Sequence, residues 1–417
     1  MKANAILALF SALLAALLAA SAVAQTSPSS GGEGWTSPQP TVQEKLEAVE
    51  ALRGGKARDG ARESARPGAS SGGLPLSSRG ASKTAAPSIA LILPGKAAAY
   101  SSAAQAVKAG FMAAAEAARA KDSCLVIEHG DGEVVSAFRQ ATEVGATVMV
   151  GPLVRDDLKA LLAMPPLAWT IALTQLEDED AKLPSNLFSL TLAVESDARF
   201  LAREIFIAGR EGNPVVLSNE TPLMKRFADA FMDEWLRLGV AAPERVRFSA
   251  NEAATLRTRL EALSPSAVLL AVEGGDAVLA RAQTKPWPTY ASGHIYQRQE
   301  QFVAAAFDRL HVVEIPWMVT PHAARFKALS ALPASPAMAR LFALGYDAFQ
   351  AASGFLDGLP MAMTFEGATG HIRFNRKEGL VRTGQLAVFA EGRLQAAEAV
   401  AEATTEVKTE AKEASSP

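Results

Sequence analysis

Five histidines, one cysteine and a short acidic run are the side chains of this sequence best suited to chemistry. His129, His294, His311, His322 and His371 form no H-E-x-x-H pair and no other metal-ligand spacing, so each reads as a strand-end or loop residue. Glu177-Asp178-Glu179-Asp180 could attract a cation, but it reads more simply as a solvated loop. Cys124 lies in the apolar run Cys124-Leu125-Val126-Ile127 and reads as a core residue rather than a reactive thiol. A lone cysteine also forbids an intramolecular disulfide. Gly95-Lys96 follows an apolar strand as a phosphate loop would, yet Ala90 stands where the first glycine is needed and Ala97 where Ser or Thr is needed. Ser292-Gly293 lacks the flanking residues of a nucleophile elbow, and no serine is followed three positions on by lysine. The expectation is a non-enzyme, with no catalytic residue, cofactor or metal.

What remains are polar groups placed just after apolar strands. In open parallel sheets, ligands bind beyond the carboxyl ends of the strands. That rule selects residues 95–102, 151–157, 173–177 and 218–221. Within them Tyr100, Ser101, Arg155, Asp156, Asn219 and Thr221 are the candidate lining of a cleft between two lobes.

The elements that must hold these groups start at residue 88. An apolar run, Ile89 to Leu93, stops at Pro94-Gly95. An Ala-rich segment follows in which Val107, Phe111, Ala115 and Ala118 recur at helical spacing. Such a pair is the first half of a βαβ unit, whose strand is covered on both faces. The theme repeats. Strands are expected at 88–93, 124–128, 147–150, 168–173 and 186–190, with helices at 103–120, 133–143 and 154–163. After a helix at 196–208, strands at 214–217, 245–248, 267–271 and 289–292 alternate with helices at 223–238, 253–263 and 276–283. Alternation of this kind implies two doubly wound parallel sheets with right-handed crossovers. Beyond them, 312–319 reads as an edge or hinge strand because it contains Pro316. A long helix at 337–359 carries Met338, Phe342, Phe349, Phe355 and Leu356 on one face. A turn at 367–371 leads into a short strand, a second strand spans 385–389, and Glu391-Gly392 begins a turn.

The 417 residues suffice for about two domains. A net charge of -3 argues against a nucleic-acid partner. Residues 1–24 read as a secretory signal: Lys2, an apolar core, then Ala22-Val23-Ala24 before Gln25. Cleavage there would release a periplasmic protein; an uncleaved anchor is the alternative. No cysteine lies near that site, so a lipoprotein is not expected. Residues 25–87 are rich in Ser, Gly, Pro and Arg and read as a disordered tether. Residues 396–417 read as a low-complexity tail.

A family emerges from particular stretches. Gly95-Lys96-Ala97 after the first strand, Gly110-Phe111 in its helix and Val150-Gly151-Pro152-Leu153 resemble type I periplasmic binding proteins. Val148-Met149-Val150-Gly151-Pro152-Leu153-Val154 is similar to the LppC branch. The C-terminal stretch from Phe365 through Gly367-Ala368-Thr369-Gly370-His371 to Phe374, with Gly379-Leu380-Val381-Arg382, looks like that branch's closing signature. The resemblance implies a bilobed α/β fold crossed three times by the chain. One lobe would hold residues 88–193 and 318–378, the other 194–317 and 379–395. It also implies a non-enzymatic role: docking on a bifunctional penicillin-binding protein and raising its peptidoglycan synthesis. Solute receptors for amino acids or similar small ligands resemble the same fold and are the alternative. Against them, Pro152 removes a backbone donor from the turn where a substrate carboxylate would sit, and Asp156 and Asp157 would repel it. Thr174 is one hydroxyl that could assist.

Overall fold

The computed structural model describes residues 88–164, 168–177, 181–209, 212–296, 305–329, 333 and 335–397. The signal and tether readings, residues 398–417 of the tail and residues 178–180 of the acidic run lie outside the described residues; Ala396, read as the start of the tail, ends a strand. All described residues belong to one unit.

Five apolar segments build the first sheet: β1 (Ile89–Leu93), β2 (Cys124–Glu128), β3 (Val148–Val150), β4 (Trp169–Ala172) and β5 (Leu187–Ser189). They are all parallel and run in the order β2-β1-β3-β4-β5. Their crossovers are α1 (Ser101–Ala117), α2 (Val134–Glu143) and α3 (Arg155–Ala163). β1 is buried throughout, because helices cover both of its faces. After α4 (Val194–Ile207) the scheme repeats with β6 (Val215–Ser218), α5 (Pro222–Arg237), β7 (Glu244–Arg247), α6 (Ala253–Leu263), β8 (Val268–Ala271), α7 (Gly275–Thr284), β9 (Thr289–Ser292) and β10 (Leu310–Glu314). These five strands are ordered β7-β6-β8-β9-β10, the same winding as the first sheet. Two antiparallel strands, β14 (Gln385–Ala390) and β15 (Arg393–Ala396), complete seven. Their turn uses Glu391 at φ 53° and Gly392 at φ 72°, the paired left-handed geometry of a tight hairpin.

Three details depart from the sequence reading. Pro316 lies outside the strand: β10 ends at Glu314, and Pro316 opens the short α8 (Pro316–Val319), where its missing N–H costs nothing. β10 is also internal, between β9 and β14. The long helix, α9, spans Pro336–Ser353, and Leu356 beyond its end is exposed. Finally, β11 (Ala362–Glu366), β12 (His371–Asn375) and β13 (Gly379–Thr383) form a separate antiparallel sheet. Residues 379–383, grouped with the second lobe above, therefore pair with β12, and the chain joins the seven-stranded sheet only at Gln385.

One apolar cluster fills the first sheet with α1, α9 and the inner face of the small sheet; another fills the second sheet with α6, α7 and α8. α9 serves both. Leu344, Ala348 and Phe349 enter the first cluster, and Ala339, Phe342 and Ala343 the second. The small sheet is fastened to the first by a set of edge-on rings, Phe188, Phe355 and Phe374, with centroids 5.0 to 5.6 Å apart.

Candidate functional site

The shared winding puts a topological switch point in each sheet, between β1 and β3 and between β6 and β8. Crevices open there because successive crossovers leave to opposite faces. The six sequence candidates follow β1, β3 and β6 and so stand at these points. Tyr100 caps α1 and Ser101 is its first residue; both are half-buried. Arg155 opens α3 and is held down: its Nε donates to the Gln175 carbonyl at 3.0 Å and its Nη1 to Glu177 Oε1 at 2.8 Å. Thr191 Oγ1 donates to Gln175 Oε1 at 3.3 Å, which extends the tie toward α4. Asp156 points to solvent, 3.4 Å from Lys159. Asp157 is more enclosed; burial raises its carboxyl, while His129, 3.9 Å away, works against the rise.

In the second sheet, Asn219 Nδ2 donates to Asp276 Oδ2 at 3.0 Å. Thr221 occupies the N-cap position of α5 without a side-chain capping bond, with Pro222 at the first helical position. Glu220 between them takes φ 59°, fixed by its N–H to Ser218 Oγ and by Arg245, whose Nε and Nη2 both reach its Oε1. Arg245 also meets Asp229 at 2.6 Å. Burial would raise the Asp229 carboxyl, but hydrogen bonds from Lys225 and Arg245 outweigh it and hold the group below the usual range. Asn219 Oδ1 and Thr221 Oγ1 are enclosed and accept or donate no hydrogen bond. The ties of Arg155 and Asn219 stay within their own sheets: Arg155 joins the β3 and β4 loops, and Asn219 joins the β6 and β8 loops.

The most heavily built polar cluster lies elsewhere, at the crossings between sheets. The chain passes after β5 through Leu192 to α4, after β10 through Ile315 to α8, and after β13 through Gly384 to β14. Asp197, Gly293, His294, Glu314, Arg340 and Arg382 line a small cavity beside these passages. Arg340 of α9 sends Nε to Glu314 Oε1 at 3.0 Å, Nη2 to Glu314 Oε2, and Nη2 to the Gly293 carbonyl at 2.8 Å. Glu314 also accepts the Tyr296 hydroxyl at 2.6 Å and the Ile315 N–H at 2.8 Å. Arg382 of β13 reaches Asp197 of α4 at 2.6 Å, the Thr369 carbonyl at 3.0 Å and the Thr191 carbonyl at 3.2 Å. Asp347 accepts the N–H groups of Ala368 and Thr369, both at 2.7 Å, and the Thr369 hydroxyl.

Burial opposes charge throughout this cluster, and pairing decides each case. It raises Glu314, but Arg340 wins and holds that carboxyl low, while Glu314 in turn holds the Arg340 guanidinium high against burial. Burial raises Asp197, with Arg382 opposing, and pushes Asp347 up to about 6. It pushes His294 down to about 3, and neighbouring Arg340 adds to the fall. Sequence reading found none of these as a site. The available signal was charge in apolar surroundings, in Val312-Val313-Glu314-Ile315 and in the apolar helix around Arg340 and Asp347. Among the described residues no cluster of three or more His, Cys, Asp or Glu could hold a metal ion. No helix of the described residues is long and apolar enough to cross a membrane.

Two doubly wound sheets joined by three chain crossings define a bilobed fold of the type I periplasmic-binding-protein class. Residues 80–263 match the family model described as "LppC putative lipoprotein". Penicillin-binding protein activator LpoA of Klebsiella pneumoniae is 28% identical over 256 residues, 52% of this chain and 36% of that protein. Over part of its length the chain is thus similar to the LppC family and to LpoA. The Escherichia coli K12 protein of the same name is 34% identical over 100 residues, 24% of this chain and 14% of that one. The chain therefore spans well under half the length of these curated relatives. Among solved structures, a "putative branched-chain amino acid ABC transporter" from Chromobacterium violaceum is 28% identical, with TM-score 0.63, covering 72% of this chain and 99% of that one. The LpoA C-domain of Haemophilus influenzae, described as a regulator of PBP1A, has TM-score 0.64 and covers 74% of this chain and 99% of that one; at 19% identity it speaks for the fold alone.

Proposed function

We propose that this chain is a non-enzymatic, periplasmic activator of a bifunctional peptidoglycan synthase, acting by protein docking. The observation that carries the reading is the 256-residue likeness to a protein named penicillin-binding protein activator LpoA. The geometry supports it. Arg155, the cation best placed to meet a substrate carboxylate in the first lobe, is already engaged by Gln175 and Glu177. Asp156 and Asp157 add negative charge to the same turn. We divide the domain into one lobe of residues 88–193 and 318–383 and another of 194–317 and 384–395. Export by a cleaved leader, without lipid attachment, belongs to the same reading.

A second reading, a solute receptor, is favoured by one observation: Asn219 Oδ1 and Thr221 Oγ1 stand at the second switch point without partners. A ligand bound only to the native state adds about RT ln(1 + [L]/Kd), roughly 2.7 kcal/mol at a hundredfold excess over Kd. Two measurements on the full chain separate the readings. Immobilised chain is expected to retain the cell's bifunctional penicillin-binding protein, and the melting temperature is expected to stay constant with each standard amino acid at millimolar concentration. A clear shift with one amino acid, and no retained synthase, would replace the activator with the receptor.

A further inference from the structure

On the lobe division proposed above, each buried arginine of the crossing cluster joins residues of different lobes. Arg340 stands on α9, which packs along α1 of the first lobe, and its partners, Glu314 and the Gly293 carbonyl, close β10 and β9 of the second. Arg382 stands on β13 of the small sheet, while Asp197 stands on α4, which packs chiefly against α5 and also touches both β9 and β13. All four residues are at most 7% exposed. Each guanidinium is spent on three or more hydrogen bonds in fixed planar geometry, so neither pair can slide without losing several bonds together.

Two further observations limit motion at the crossings. Space around the pairs is tight: a Cβ on Gly293, at the end of β9, would come within 2.5 Å of Glu314 Oε2, and one on Gly384, in the passage from β13 to β14, within 2.6 Å of Val313 Cγ1. The junction is also apolar. Phe342 of α9 lies 5.1 Å from Trp317 of α8 between ring centroids, and Ala339, Phe342 and Ala343 sit inside the second lobe's core. Lobes move relative to one another by default unless the surface between them is large and hydrophobic. Here it is apolar and clamped by two ion pairs.

We propose that the Arg340–Glu314 and Arg382–Asp197 pairs lock the two lobes in one arrangement, so that the domain does not open and close on a solute. The two pairs tie elements on opposite sides of the crossings, so any opening must break both. If the activator reading above holds, the synthase meets one preformed surface that spans both lobes. The lock itself does not depend on that reading.

The test measures the distance between lobes in the full chain. Spin labels go on exposed positions of α2 and α6, as Arg139→Cys and Arg257→Cys, in a Cys124→Ser background. Pulsed electron resonance should give a single narrow distance band, unchanged by a mixture of the standard amino acids at millimolar concentration. Two resolved bands, or a band displaced by amino acids, would overturn the lock whatever the synthase does. The double variant Asp197→Asn/Glu314→Gln leaves two buried arginines without counter-charge, and water then draws them out. It should keep its helical circular dichroism and show a second, longer distance band. A folded double variant with the native band would also overturn the proposal. Should that variant fail to fold, the native distances with and without amino acids decide alone. Synthase activation is read in a separate assay, so a mobile activator and a rigid non-activator are told apart.

Discussion

Arg340 and Glu314 are nearly enclosed, and each satisfies the other. Removing one partner of such a pair leaves an uncompensated buried charge, which costs about 3–5 kcal/mol, whereas replacing both with apolar groups of similar size is often near neutral. Arg340→Met should therefore destabilise the chain strongly in urea unfolding. Arg340→Met/Glu314→Leu should recover much of the loss, and a double-mutant cycle should show marked non-additivity. Two single losses that simply add would contradict the pairing. His294 gives a second prediction. Its folded pKa lies near 3, below its ordinary value of 6.5, so the unfolded chain binds more protons between those limits. Stability should then fall as pH drops below 6.5. Asp347, raised to about 6, acts the other way over the upper part of that range, so the comparison must be between variants. His294→Gln should lose less melting temperature between pH 7.5 and pH 5 than the parent does; an equal loss would show that His294 is protonated in the fold. None of these residues was legible as a site. A single charge inside an apolar stretch does not name its partner, and Arg340 finds its partners 26 and 47 positions away.

At the scale of elements, α1 and α9 meet through glycines. A Cβ on Gly345 would lie 1.9 Å from the Val107 carbonyl oxygen, and one on Gly110 would lie 1.8 Å from that of Phe342. The backbones touch, and Phe111 then packs edge-on against Phe349 at 5.3 Å. Gly345→Ala must push the helices apart, at a cost of about 1–3 kcal/mol or more for overpacking, even though alanine is the better helix former. A melting temperature equal to or above the parent's would mean that the helices do not approach so closely. The two sheets were readable in the sequence because a buried parallel strand is one unbroken apolar run and a covering helix repeats near 3.6 residues. β11, β13 and β15 were not. β11 alternates exposed and half-buried residues on a two-faced edge, β13 mixes glycine and arginine with its apolar positions, and β15 is short and mostly exposed. Their pairing is set by long-range register, which local patterning does not carry. The loops after β1, β3 and β6 stand at the switch points because that rule needs only strand ends, while 173–177 follows β4 beside the first of them. The bonds that occupy Arg155 and Asn219 come from loops 20 and 57 positions away and were out of reach.

At the scale of the whole molecule, the two cores share α9, and the buried pairs Arg340–Glu314 and Arg382–Asp197 lie where the chain passes between the sheets. Such a body suits docking on a protein surface, where a specific interface takes about 800 Å² per partner, better than it suits enclosing a small solute. The direct measurement is the rate of glycan polymerisation and of peptide cross-linking by the purified cognate bifunctional synthase, with and without the full chain. The account predicts a rise in at least one rate that saturates as the chain approaches equimolar amounts. Unchanged rates in both reactions, with a chain that still unfolds cooperatively, would contradict it.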